Sequence, residues 1–141
     1  MQNLKVISTF STGVTKGHEA APIVAGNTMY IVTPFPNYVY ALDLTRAGYP
    51  TKWSYKPHPV SASQGVACCD VINRGLVVDD GKVIFNTLDA RTIALDAASG
   101  KELWVTKIGN INVGETVTMA PLVVKGKVLV GVSGGEFGVR G

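Results

Sequence analysis

A repeat with a 51-residue spacing constrains this chain more than any other feature. Val39-Tyr40-Ala41-Leu42-Asp43 leads to Trp53, and Thr92-Ile93-Ala94-Leu95-Asp96 leads through Ala97-Ala98-Ser99-Gly100-Lys101 to Trp104, so the tryptophans stand 51 residues apart. A second element recurs: Ala21-Pro22-Ile23-Val24 with Gly26, and Ala120-Pro121-Leu122-Val123 with Gly126. Between them lies a weaker copy, Gly75-Leu76-Val77-Val78 followed by Gly81-Lys82-Val83-Ile84-Phe85. Each unit reads as strand, glycine turn, strand, a third strand ending in Ala-x-Asp, a turn, and an outer strand carrying the tryptophan. The Asp is suited to accept hydrogen bonds from backbone N–H groups of its own turn, and Ser99-Gly100 supplies the reversal. The indole is then expected to pack between neighbouring units, its N–H seeking a carbonyl.

Four antiparallel strands in about 50 residues describe one blade of a β-propeller. Composition agrees: Val 20, Ile 8 and Thr 12 make 40 β-branched residues of 141, and Gly 16 with Pro 7 punctuate them. That mixture favours many short strands over a helical bundle. Strands are expected near 22–25, 28–33, 38–43 and 51–55, near 76–78, 82–86, 91–95 and 103–106, and near 121–124 and 127–132. Residues 57–74, holding His58 and Cys68-Cys69, form a long irregular connection between the first two units, a kind of segment that often carries function. The blade units fall at about 1–55, 75–106 and 118–141 of one partial propeller domain, 1–141. A degenerate lead-in copy, Ser8-Thr9-Phe10, has serine where the repeat expects tryptophan.

Several function classes are disfavoured. The net charge of +3 comes from 13 basic and 10 acidic residues scattered singly, which does not favour a nucleic-acid partner. No run of about 18 apolar residues occurs, and the start, Met1-Gln2-Asn3-Leu4-Lys5-Val6, shows no export signal. At 46% hydrophobic and 16% charged, the chain is apolar for a free-standing small domain. Adjacent Cys68-Cys69 is a poor zinc or redox spacing. Two reduced, buried thiols are one reading; a disulfide ring, strained because consecutive Cα atoms lie only about 3.8 Å apart, is the other.

Three segments resemble one family. Gly65-Val66-Ala67-Cys68-Cys69-Asp70-Val71-Ile72-Asn73-Arg74-Gly75 is similar to the adjacent-cysteine segment of the pyrroloquinoline quinone (PQQ)-dependent alcohol dehydrogenases, the methanol dehydrogenase large subunit and its relatives. Ser133-Gly134-Gly135-Glu136-Phe137-Gly138-Val139-Arg140-Gly141 resembles their cofactor and metal segment, and Gly17-His18-Glu19-Ala20-Ala21-Pro22 their first-blade segment. The resemblance runs from about Phe10 to Gly141, with Ala20 standing where a glycine is usual.

The resemblance implies an all-β, eight-bladed propeller, of which this chain covers roughly the first two to three blades, in a periplasmic enzyme. Such an enzyme oxidises a small primary alcohol, most resembling the methanol branch in the run Gly114-Glu115-Thr116-Val117-Thr118-Met119-Ala120, and passes electrons to a cytochrome c. A small subunit or a homodimer is a possible assembly. Cys68 and Cys69 would form a disulfide ring packed on one PQQ face, and Glu136 would bind Ca²⁺ or a lanthanide ion, hard cations that require anionic oxygen. Arg74 would pair with quinone oxygens, while Glu19, Thr118 and Ser133 would hydrogen-bond the cofactor. Gly134 and Gly135 would let backbone approach the ring or ion. No catalytic residue is assigned here; the family's catalytic Asp and remaining metal ligands belong to later blades, so the chain reads as an internal fragment. His18 and His58 read as a structural hydrogen-bonder and a surface-loop residue, and Trp53 and Trp104 as blade-packing residues. The alternative is a non-enzymatic propeller scaffold built on the same repeat, such as an outer-membrane assembly factor. Such a scaffold has no use for Cys68-Cys69, Arg74 and Glu136 together.

Overall fold

The computed structural model describes residues 3–68, 70–135 and 138–139. Two four-stranded antiparallel sheets and one strand pair make up its regular structure. The first sheet runs β1 (Ile23–Ala25), β2 (Thr28–Val32), β3 (Val39–Asp43), β4 (Thr51–Tyr55) in spatial order. The second repeats it with β5 (Leu76–Asp79), β6 (Lys82–Thr87), β7 (Arg91–Asp96) and β8 (Glu102–Lys107). The third comprises β9 (Leu122–Val124) and β10 (Lys127–Leu129). Two short 3₁₀ turns, Ser61–Gly65 and Ile111–Val113, lie in the connections between sheets.

The strand ends agree with the sequence expectation to within a residue or so, except that β10 stops at Leu129 rather than near 132. Leu129 pairs with Leu122, so one step further would place Val130 opposite Pro121. Proline has no N–H to donate to a ladder, and the strand ends there.

The repeat is visible in the register. Ala41 pairs with Trp53 and Leu42 with Thr51, so a bulge falls at Ala41/Leu42. Ala94 pairs with Trp104 and Leu95 with Glu102, giving the same bulge at the same motif position. The motif aspartates behave alike: Asp43 accepts from the Thr45 N–H (2.9 Å) and hydroxyl (2.6 Å), and Asp96 from the Ser99 N–H (2.7 Å) and hydroxyl (2.6 Å). These hydrogen bonds, hydroxyl first, hold both carboxyls below the ordinary aspartate pKa by favouring the ionised form.

The first and second sheets join through the tryptophan of one and the turn of the next. The Trp53 indole N–H donates to Ala97 O at 3.1 Å, and the Tyr30 hydroxyl donates to the same carbonyl at 3.1 Å. Gly100 lies under the indole, with a left-handed φ of +73° that favours glycine. Behind this contact the two sheets share a core of Tyr30, Val32, Val39, Ala41, Leu76, Val83, Phe85, Ile93 and Leu95. Each large side chain fully buried there contributes roughly 1.5–3 kcal/mol. Strands β6 and β7 are buried on both faces, because their sheet is flanked by the other two, whereas outer strands β4 and β8 are largely exposed. This explains why Val83-Ile84-Phe85 reads as a continuous apolar run rather than an alternating one. On the outer strands, Tyr55 donates its hydroxyl to Glu102, and burial together with that bond raises its pKa well above the ordinary tyrosine value. Trp104 lines an apolar groove of about 300 Å³ with Thr92, Thr106, Ile108, Val128, Val130 and Val132.

The connection over residues 57–74 is pinned by a buried pair. Arg91 Nε lies 3.0–3.1 Å from both Asp89 carboxylate oxygens and its Nη2 donates to Pro57 O at 3.1 Å, while the Val60 N–H donates to Asp89 Oδ2 at 3.0 Å. Asp89 is only 6% exposed, so its charge is supported by paired donors rather than by solvent. His58 sits exposed between Pro57 and Pro59, in the surface-loop role expected of it. The His18 ring bonds Lys16 O (2.8 Å) and the Thr12 hydroxyl (3.0 Å), as a structural hydrogen-bonder does.

Candidate functional site

The innermost strands of the three sheets lie side by side, β1 next to β5 and β5 next to β9. The residues leading into those strands therefore arrive at one place. Glu19 precedes β1, Arg74 precedes β5 and Thr118 precedes β9, and the fold brings these residues, 55 and 44 positions apart, together.

Arg74 is their centre. Its backbone N–H donates to Thr118 O at 2.9 Å and its Nη1 donates to the Thr118 hydroxyl at 2.6 Å. Its Nε lies 3.5 Å from Glu19 Oε2, with the two side chains 46% and 49% exposed. That exposure limits what the ion pair contributes to stability. It also leaves a planar guanidinium and a carboxylate presented together beside the buried Thr118 hydroxyl, a set suited to a polar, multiply hydrogen-bonding ligand. Thr118 itself is buried, as are Thr116 and Val117 before it.

The second part of the site is tied to the first by one β-bridge. Thr116 N–H donates to Ser133 O at 3.2 Å, and Ser133 N–H returns a bond to Thr116 O at 2.8 Å. Gly134 follows with φ +140°, and a Cβ there would meet Gly114 O at 2.9 Å. Glycine at 134 is thus required by the chain's own packing. At Gly135 an added Cβ would meet nothing within 4 Å among the described residues. Cys68 is exposed at the end of the long connection. Cys69 and Glu136 lie outside the described residues, so the expected disulfide and the expected metal ligand lie outside them as well. Among the described residues no group of three or more His, Cys, Asp and Glu side chains could hold a metal ion.

Two asparagines that sequence reasoning left without a role bracket the Arg74–Thr118 pair. Asn73 is 1% exposed; its Oδ1 accepts from the Gly75 N–H at 2.9 Å and its Nδ2 donates to Asn86 O at 2.9 Å. Asn86 is fully buried; its Nδ2 donates to Met119 O at 3.0 Å and its Oδ1 accepts from the Thr92 hydroxyl at 2.8 Å. A third, Asn37, is fully buried in the loop between β2 and β3 and accepts from the Leu88 N–H at 3.0 Å, linking the first sheet to the second. The signal available for Asn86 was its place directly after the apolar run Val83-Ile84-Phe85, since a polar side chain buried there must find partners.

The model of the PQQ family described as glucose/ethanol/alcohol dehydrogenase, β-propeller domain, matches residues 2–136. A lanthanide-dependent methanol dehydrogenase from Methylacidiphilum fumariolicum is 57% identical over 141 residues, all of this chain and 23% of that protein. Methanol dehydrogenase [cytochrome c] subunit 1 from Paracoccus denitrificans is 46% identical over 147 aligned positions, again covering 100% of this chain and 23% of that protein. Among solved structures, a europium-containing methanol dehydrogenase superposes with a TM-score of 0.91 at 60% identity, over 93% of this chain and 23% of that one. The chain thus spans about a quarter of the length of these relatives.

Proposed function

Because the chain belongs to the glucose/ethanol/alcohol dehydrogenase β-propeller family, we propose that its residues form the cofactor-facing part of a PQQ- and metal-dependent alcohol dehydrogenase acting on methanol. The observation that carries this reading is the convergence of Glu19, Arg74 and Thr118 at the entry to three adjacent inner strands. The donor set fits the cofactor. A planar polycarboxylate quinone needs a cation and directed donors, and Arg74 supplies a guanidinium held in place by its neighbours. Ser133, bridged to Thr116, and Gly134–Gly135 extend the wall, and at Gly135 the described residues leave room for backbone to approach a ligand.

When bound, PQQ would supply the two-electron oxidising capacity needed to convert an alcohol to an aldehyde. The chain's own residues bind and orient. Arg74 offsets the cofactor's negative charge, Glu19 and the Thr118 and Ser133 hydroxyls fix its rotation, and Cys68 with Cys69, as a disulfide ring, forms a flat apolar wall. Glu136 provides carboxylate oxygen to a Ca²⁺ or lanthanide ion, and the names of the relatives at 57% and 60% identity favour the lanthanide. A cytochrome c acceptor follows the name of the 46% identical relative, whose designation as subunit 1 also raises a second subunit or a homodimer for this protein. A periplasmic location is part of the same proposal, as is the reading of the three sheets as successive blades of one eight-bladed domain to which this chain contributes a fragment.

The test is turnover by the full-length protein with methanol, an artificial electron acceptor, PQQ and either a lanthanide or Ca²⁺. Acceptor reduction is expected only when alcohol, PQQ and a cation are all present. Reduction independent of PQQ, or none with either cation, would overturn the reading.

A further inference from the structure

We infer that Asn86 is a positioning residue that clamps the two segments carrying Arg74 and Thr118, and that it thereby sets cofactor affinity from inside the blade; the cofactor part rests on the function proposed above. Asn86 sits on β6, and its side-chain and carbonyl hydrogen bonds run to Asn73, Met119 and Thr92 rather than to the residues assigned to the cofactor. Its backbone carbonyl accepts from Asn73 Nδ2 at 2.9 Å, and its side-chain Nδ2 donates to Met119 O at 3.0 Å. Asn73 and Met119 are the sequence neighbours of Arg74 and Thr118. One buried residue therefore holds both segments, one through its main chain and the other through its side chain.

The rest of the arrangement supports that division. Asn73 Oδ1 reaches across Arg74 to the Gly75 N–H at 2.9 Å, fixing the turn from which the guanidinium projects. The Thr92 hydroxyl donates to Asn86 Oδ1 at 2.8 Å, which fixes the side-chain amide with its NH₂ toward Met119. The two segments pack closely enough that a Cβ at Gly75 would stand 3.3 Å from Ala120 Cβ. Asn73, Asn86 and Thr92 are no more than 3% exposed, so water cannot readily substitute for a lost bond. Within the site the register of Arg74 against Thr118 rests on one backbone bond and a half-exposed guanidinium; the clamp adds a tie from both segments to the core.

The variant that isolates the clamp is Asn86→Asp in the full-length protein. It keeps size and the acceptor for Thr92; ionised, it removes the donor and sets an oxygen against Met119 O. Because burial favours the protonated form, which would restore a donor, the measurements are made at neutral pH and above it. Ile93→Val, a fully buried core change on β7, serves as the control for general destabilisation. At a temperature where both variants are folded by circular dichroism, Asn86→Asp is expected to weaken PQQ binding about tenfold in an equilibrium titration, as the loss of one buried hydrogen bond would. It is also expected to speed amide hydrogen exchange at Arg74 about tenfold, while Ile93→Val leaves both within about threefold. Faster exchange at Arg74 in a protein that binds no PQQ even unmodified would sustain the clamp and sink the cofactor reading. Unchanged Arg74 exchange in Asn86→Asp, or an equal effect from Ile93→Val, would overturn the clamp.

Discussion

Gly100→Ala is expected to destabilise the protein by about 3 kcal/mol, the sum of a left-handed backbone, about 1–2 kcal/mol for an L-residue, and overpacking, about 1–3 kcal/mol. The added Cβ would stand 2.6 Å from Cδ2, 2.7 Å from Cε3 and 2.9 Å from Cγ of Trp53. The indole has little room to retreat, because its N–H is bonded to Ala97 O and its ring packs against Tyr30 with centroids 5.9 Å apart. The cost should therefore depend on the tryptophan. Trp53→Ala alone is expected to cost about 3–5 kcal/mol. In that background Gly100→Ala should cost only the backbone part, about 1–2 kcal/mol. Thermal unfolding of the full-length protein and the three variants measures this cycle. Equal costs for Gly100→Ala in both backgrounds would show that the indole does not determine the need for glycine.

Arg74→Leu is expected to have the largest effect on ligand binding. It removes the donor to the Thr118 hydroxyl and the charge that faces Glu19. It thereby leaves a carboxylate without its cation where an anionic cofactor is proposed to sit. Hydrogen bonds to charged groups contribute about 1.5–3 kcal/mol each, so losing the two that the guanidinium is proposed to donate to the cofactor predicts PQQ binding weaker by roughly 100-fold or more. Arg74→Lys keeps the charge and loses the planar fork, and should fall between, near tenfold. Because the side chain is 46% exposed, neither change should greatly lower the unfolding temperature. Equilibrium titration of full-length apoprotein with PQQ reads the effect. Binding by Arg74→Leu within threefold of the unmodified protein would remove Arg74 from the cofactor site.

The features legible in the sequence were the periodic ones. The Ala-x-Asp…Trp copies imposed the same bulge at Ala41/Leu42 and at Ala94/Leu95, and the same hydroxyl-bonded aspartate. They also placed the Trp53 indole on the next unit's turn, because a repeat that cannot bury its face alone must present it to a neighbour. The length of β10 was not legible, since it depends on which residue faces Val130 across the ladder, and pairing partners cannot be read from one strand. Glu19, Arg74 and Thr118 were singled out by family resemblance, and only the stacking of β1, β5 and β9 shows why residues so distant share a place. The buried asparagines were missed for a physical reason. Asn in a turn segment reads as a turn residue, and Asn86 at the end of Val83-Ile84-Phe85 reads as a strand end. Their longer-range bonds run to backbone groups of other sheets and segments, which no local pattern records. The Asp89–Arg91 pair escaped for the same reason, its function being to hold the Pro57 and Val60 backbone.

The most direct test of the central claim is a crystal structure of the full-length protein with PQQ and europium, the ion located by its anomalous scattering. The quinone ring is expected over Cys68 and Cys69 with the Arg74 guanidinium at its edge, and the europium peak within coordinating distance of the Glu136 carboxylate. A ring bound away from Glu19, Arg74 and Thr118, or a europium site to which Glu136 contributes no oxygen, would contradict it.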